Sequence, residues 1–114
     1  MTRATNANLR AELEELTASI CRALNDPKRL LILYTLVAQP RSVTGLCDAL
    51  GLSHSNVSQH LAVLRESGLV ETERDANRVI YSLRDQRVVK AIDLLRSVMN
   101  TELARRRSLL GGTI

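Results

Sequence analysis

Residues 42–70, SVTGLCDALGLSHSNVSQHLAVLRESGLV, carry the pattern on which the fold turns. The Ser42 hydroxyl can cap the free amides of a first helical turn, and Val43, Leu46, Cys47 and Leu50 share one face of the helix that follows. Gly51 supplies the left-handed residue that ends a helix, and only Leu52 separates it from Ser53, a second hydroxyl cap. Beyond Ser53, the residues Val57, Leu61 and Leu64 recur at spacings of four and three and form a buried stripe, and Gly68 stops the helix. Two helices joined by about three residues that include a glycine have helix-turn-helix dimensions.

Working outward, Asp26-Pro27 starts a helix, because Asp accepts from first-turn amides and Pro at the first position loses no needed donor. That helix runs through Leu30, Leu31, Ile32, Leu33, Leu36 and Val37, is apolar nearly all round, and should lie in the middle of the domain until Gln39-Pro40 ends it. Before it, Leu9, Leu13, Leu16, Ile20 and Leu24 line one face of a first helix. After the pair, 69–73 and 79–83 alternate apolar and polar residues around Arg74, Asp75, Ala76, Asn77 and Arg78, the pattern of a two-stranded hairpin, or wing. Asp85 then caps a long helix with Val88, Ile92, Leu95, Met99 and Leu103 on one seam, continuing to Leu110. The reading is mainly α (α+β): a winged helix-turn-helix of five helices plus a two-stranded wing, in one domain over 1–114. Its parts are a first helix 8–24, the helix-turn-helix 43–67, the wing 69–83 and a last helix 86–110, with disorder expected in the first six or so residues and at Gly111-Gly112.

The 114 residues suit one domain. With no Trp or Phe and two Tyr, the core must be aliphatic. No apolar run approaches the roughly 20 residues of a membrane span and Met1 to Asn8 lacks a secretory signal, so a soluble cytoplasmic protein with no membrane partner is expected. Cys21 and Cys47 lie far apart without CxxC spacing, against a disulfide scaffold or zinc knuckle. A net charge of +4 favours an anionic partner, and the scarcity of stacking aromatics favours double-stranded DNA over single strands. No Gly-rich phosphate loop, nucleophile-base pair or convergent carboxylates appear, so neither an enzyme nor a cofactor is expected.

Ser53 to Val70, SHSNVSQHLAVLRESGLV, resembles the recognition-helix signature of the arsenic-repressor-like (ArsR/SmtB) family of winged-helix regulators. ALNDPKRLLIL at Ala23 to Leu33 and RVIYSL at Arg78 to Leu83 extend the resemblance over roughly residues 15 to 100. The resemblance implies a homodimeric repressor whose first and last helices form the dimer interface and which leaves its operator when an inducer binds. The residues point the same way, since Leu9, Leu13, Leu16, Ile20, Val88, Ile92, Leu95, Met99 and Leu103 form seams without an obvious partner in the chain.

With Val57, Leu61 and Leu64 turned inward, Ser55 and Gln59 face outward and Asn56 and Ser58 lie on the flanks, as candidate groove contacts. His54, in the first turn, either contacts DNA or is merely exposed; His60, beside the buried stripe, reads as a packed, hydrogen-bonded imidazole. Arg74 and Arg78 bracket the wing tip within reach of flanking backbone. Lys28, Arg29, Arg41 and Arg65 are weaker phosphate candidates, and Arg105, Arg106 and Arg107 read as cations complementing a helix C-terminus. Two recognition helices related by a two-fold axis should read an inverted repeat with half-sites roughly 34 Å apart.

Members of the resembled family that sense soft metals carry Cys-x-Cys at the start of the third helix, where Ser42 and Thr44 stand here; others use His and acidic ligands on the last helix, which here holds Asp93 and Glu102 but no His. No metal is therefore assigned. Persulfide-sensing members pair a second-helix cysteine with one near the end of the last helix, but here the second helix has Tyr34 and the last has no cysteine. Cys21, off the main stripe of the first helix, and Cys47 remain as candidate thiol sensors, although Cys47, on the apolar face of the third helix, reads first as a small core residue. The inducer stays open, and the rival function is a winged helix used for protein contact.

Overall fold

Asp26, Ser42, Ser53 and Asp85 each stand at a helix start and accept a backbone hydrogen bond from the first turn. The donors are the amides of Lys28 at 2.8 Å, Gly45 at 3.1 Å, Asn56 at 3.2 Å and Arg87 at 2.9 Å. They delimit the helices of the computed structural model, which describes residues 3–111. Helix α1 spans 3–24 as a segment Arg3–Leu16, a π-helical turn Thr17–Cys21 and a last turn Arg22–Leu24. There follow α2 (Pro27–Ala38), β1 (Arg41–Ser42), α3 (Val43–Leu50), α4 (His54–Glu66), β2 (Val70–Asp75), β3 (Arg78–Leu83) and α5 (Arg87–Gly111). Gly51 closes α3 at φ +67°, its amide donating to the Cys47 carbonyl at 2.8 Å, and Gly68 follows α4 at φ +79°. A side chain at either position would be strained in that left-handed conformation.

Ile32, Leu33, Leu46, Val57, Leu61, Leu64 and Val70 are fully buried and tie α2, α3, α4 and β2 into one aliphatic core. Val89 and Ile92 bring the start of α5 onto it. No helix among the described residues is long and apolar enough to cross a membrane.

The structure departs from the sequence reading in several places. The first helix begins at Arg3 rather than at residue 8, and Gly111 is still helical, while Met1, Thr2 and Gly112 lie outside the described residues. α2 is covered on one side only: Leu31 and Val37 are exposed, because its neighbours pack on the face of Ile32, Leu33 and Leu36. The sheet has three strands, ordered β1-β3-β2, not two. Pro40 cannot continue a helix, and the chain leaving it lays Arg41 opposite Tyr81 and Ser42 opposite Ile80. The hairpin turn is only Ala76-Asn77, so Arg74, Asp75 and Arg78 belong to the ladder. Ala76 carries φ +57°, unusual for a residue with a Cβ.

The π-turn changes the first seam. The Thr17 hydroxyl donates to the Glu14 carbonyl at 2.9 Å, competing with the regular helical ladder where the wider turn starts. Leu9, Leu13 and Leu16, before it, are exposed, whereas Ile20 and Leu24 pack on the core. The Cα radius of gyration is 18.1 Å, against about 13 Å for a compact chain of this length. Long α1 and α5, reaching beyond the core, account for the excess.

Candidate nucleic-acid interface

α4 is held from below and presented from above. Val57, Leu61 and Leu64 are each 0% exposed, which fixes the helix's rotation about its axis. That rotation leaves His54, Ser55, Ser58 and Gln59 exposed and Asn56 half-buried, so the five proposed contact residues come together along the first two turns. His54 Nε2 lies 3.2 Å from the Thr44 hydroxyl, linking the first turns of α3 and α4. His60 is half-buried, with Nδ1 3.3 Å from an Arg29 guanidinium nitrogen.

Arg29 is not a surface cation. Its Nε donates to the Ala23 carbonyl at 2.6 Å and its Nη2 to the Arg22 carbonyl at 3.2 Å, closing the C-terminal end of α1, and Nη1 sits 3.7 Å from Asp26. The Lys28 amide, first, and the neighbouring charges of His60 and Arg29 hold the Asp26 carboxyl below its ordinary pKa. Arg41 is likewise drawn into β1, where its Nε is buried without a hydrogen-bond partner among the described residues. Of the weaker phosphate candidates, Lys28 and Arg65 remain exposed.

The hairpin register separates the two wing arginines. Arg74 stands opposite Val79 and shares a face with Thr72 and Tyr81; Arg78 stands opposite Asp75 and shares the other face with Glu71 and Glu73. Between α4 and β3 opens a groove of about 440 Å³ lined by Ser58, Ala62, Arg65, Glu66 and Tyr81. Tyr81 was absent from the sequence candidates, although strand alternation from Thr72 and Arg74 would have put it on their face.

A family model described as bacterial regulatory protein, arsR family, matches residues 26–72, from the Asp26 cap into β2. The HTH-type transcriptional regulator YgaV of Escherichia coli strain K12 is 42% identical over 93 residues, 81% of this chain and 93% of that protein. This chain belongs to the arsR family. Among solved structures, Rv0081 of Mycobacterium tuberculosis is 38% identical with a TM-score of 0.73, covering 82% of this chain and 95% of that one. The homodimeric winged helix-turn-helix DNA-binding domain Mb0332 from Mycobacterium bovis is 29% identical with a TM-score of 0.73, covering 84% and 89%. The arsR-family chain is thus a DNA-binding transcription regulator with a winged helix-turn-helix fold.

Seen as an arsR-family regulator, its outer helices divide sharply. Along α5, Val88 and Ile92 pack on the core of their own chain, with Val89 beside them, as Ile20 does on α1, while Val88 and Ile20 are only half-buried. Leu95, Met99 and Leu103 are 64%, 52% and 44% exposed, joined by Leu94 and Val98, one position off the seam and missed in the sequence. Asp93 pairs with Arg96 at 3.4 Å, and Glu102 with Arg105 at 2.8 Å and Arg106 at 3.3 Å. Arg105, first, holds the Glu102 carboxyl below its usual range. Because α5 continues to Gly111, the three arginines do not lie in its last turn; two of them serve Glu102 instead.

Both cysteines are free thiols: Cys21 is exposed in the π-turn, and Cys47 is half-buried against the core. Among the described residues no three His, Cys, Asp or Glu side chains gather as a metal site.

Proposed function

We propose that this regulator acts as a cytoplasmic homodimer that binds an inverted repeat in double-stranded DNA, represses transcription from it, and lets go when an inducer binds. The observation that carries the reading is the polar outer row of α4 above a fully buried stripe. Ser55, Asn56, Ser58 and Gln59 meet base edges in the major groove, with Gln59 and Asn56 suited to two-point contacts with adenine, and His54 adds a base or phosphate contact. Arg74 and Arg78 reach the flanking backbone from the wing. The exposed apolar rows Leu9, Leu13 and Leu16 on α1 and Leu95, Met99 and Leu103 on α5 fit burial against a second copy, as does the homodimeric state of the Mycobacterium bovis relative.

The test is fluorescence anisotropy with labelled duplexes from upstream of the protein's own coding sequence, at fixed salt. Specific binding should exceed that of a scrambled duplex by about a thousandfold or more, with sedimentation at micromolar concentration showing a dimer. Equal affinity for both duplexes, or monomer alone, would overturn the reading.

A further inference from the structure

Among the described residues, α5 is fastened to the rest of its chain only near its start. Val89 and Ile92 are its buried residues, and from Leu94 onward every apolar side chain on it is exposed. The last fastening is polar and joins it to α2: the Tyr34 hydroxyl donates to Asp93 Oδ1, and Arg96 Nη1 reaches both the Tyr34 oxygen and Asp93 Oδ1 at 3.4 Å. The Arg96 guanidinium also lies 5.4 Å from the centre of the Tyr34 ring, within cation-π range. Tyr34 itself packs against the core, two residues before buried Leu36, on the helix against which α4 packs. One side therefore reports to the reading helix and the other to the long arm that carries the apolar rows.

We propose that Tyr34, Asp93 and Arg96 form a latch that sets the angle at which α5 leaves the DNA-reading unit, and so the half-site spacing the assembled protein accepts. The inference rests on the dimer reading above. If α5 carries the partner, a hinge at the start of a 25-residue helix is magnified along its length. At 1.5 Å rise per residue, an arm from Arg96 to the end of α5 is roughly 20 Å long, so a tilt of roughly 10° displaces the far end by about 4 Å, more than the rise of one DNA base pair. Geometry favours a latch over a merely solvated ion pair: a charge pair alone needs no tyrosine, and here one hydroxyl and one aromatic face engage both members of the pair. These are positioning residues, acting through α5 and not on DNA.

The experiment uses Tyr34→Phe, Asp93→Asn and the double variant of the full chain. Each is titrated against single half-sites and against inverted repeats whose centre-to-centre spacing is varied one base pair at a time. Single half-site affinity and the sedimentation coefficient should be unchanged. Affinity for the best-spaced repeat should fall about three- to thirtyfold, and the preference among spacings should flatten or move. The double variant should be no worse than the poorer single one, because the residues act as one unit. Unaltered spacing preference overturns the latch, as does a parallel loss on single half-sites, which would mark a general structural defect. If the wild-type protein binds no inverted repeat, the functional reading fails; hydrogen exchange then decides the latch separately. Faster amide exchange at residues 93–99 in Tyr34→Phe supports it, and unchanged exchange overturns it.

Discussion

α4 and α5 carry apolar residues at the same helical spacings, yet the stripe of α4 is wholly buried while that of α5 changes partway along from core to solvent. The difference teaches that a period announces a face but does not say what covers it. α4 lies between α2, α3 and β2, so three sides of its chain supply the cover; α5 leaves the core after Ile92, and its later apolar residues stay exposed among the described residues.

The sharpest way to break this comparison is to delete the same atoms from both helices. Leu61→Ala should lower stability by about 2–5 kcal/mol at any protein concentration, since the cavity forms within one chain. Leu95→Ala should matter chiefly through association, so that its effect on urea unfolding depends on protein concentration; equal, concentration-independent losses would erase the distinction. Charging the exposed row with Leu95→Glu and Met99→Glu should yield folded monomers by sedimentation and circular dichroism.

On the outer side of α4, Gln59→Ala should cost about 1–3 kcal/mol in operator affinity and relax the preference at one base pair, read by competition with single-base variants. In the wing, Arg74→Ala should weaken all sequences alike and lower the salt-dependence slope by about 1, while Arg78→Ala should do less because Asp75 stands opposite it. An equal response from both arginines would show that the hairpin face does not decide the contact.

The smallest effect is at the α5 start. Arg87, through its side chain first and its amide second, holds the Asp85 carboxyl down at about 2 from an ordinary 3.8. A depressed carboxyl stabilises the fold fully above its unfolded value and loses that stabilisation as pH falls from about 3.8 towards 2. Asp85→Ala should therefore lower the melting temperature slightly at pH 7, with the two proteins converging in acid.

What was legible in the sequence was local. A cap needs only a short polar side chain and the amides that follow it, so Asp26, Ser42, Ser53 and Asp85 declared their helices, and Gly51 and Gly68 their ends. The outward row of α4 followed from its stripe by helical geometry alone. What the sequence hid depended on contacts across the chain. A two-residue strand has no period to detect, so β1 was invisible. The polar tip of the wing offers no alternation, which concealed that Arg74 and Arg78 face apart. The π-turn shifts the rotation of α1 between Leu16 and Ile20, splitting a seam that reads as continuous on an ideal helix. Arg29 looked like any surface cation because, besides nearby Asp26, its partners are two carbonyls and an imidazole that only folding assembles.

That arginine has a consequence for how the molecule comes apart. One guanidinium, 15% exposed, touches the end of α1, the Asp26 cap of α2 and His60 in the middle of α4. Fraying the final turn of α1 removes two of its acceptors at once and frees the group that steadies His60. Transient opening at the edge of the molecule should thereby reach the reading helix, so that amide exchange in the last turn of α1 and around His60 is expected to quicken together in Arg29→Lys. A lysine, with one compact ammonium in place of a planar fork, has no geometry that holds all three.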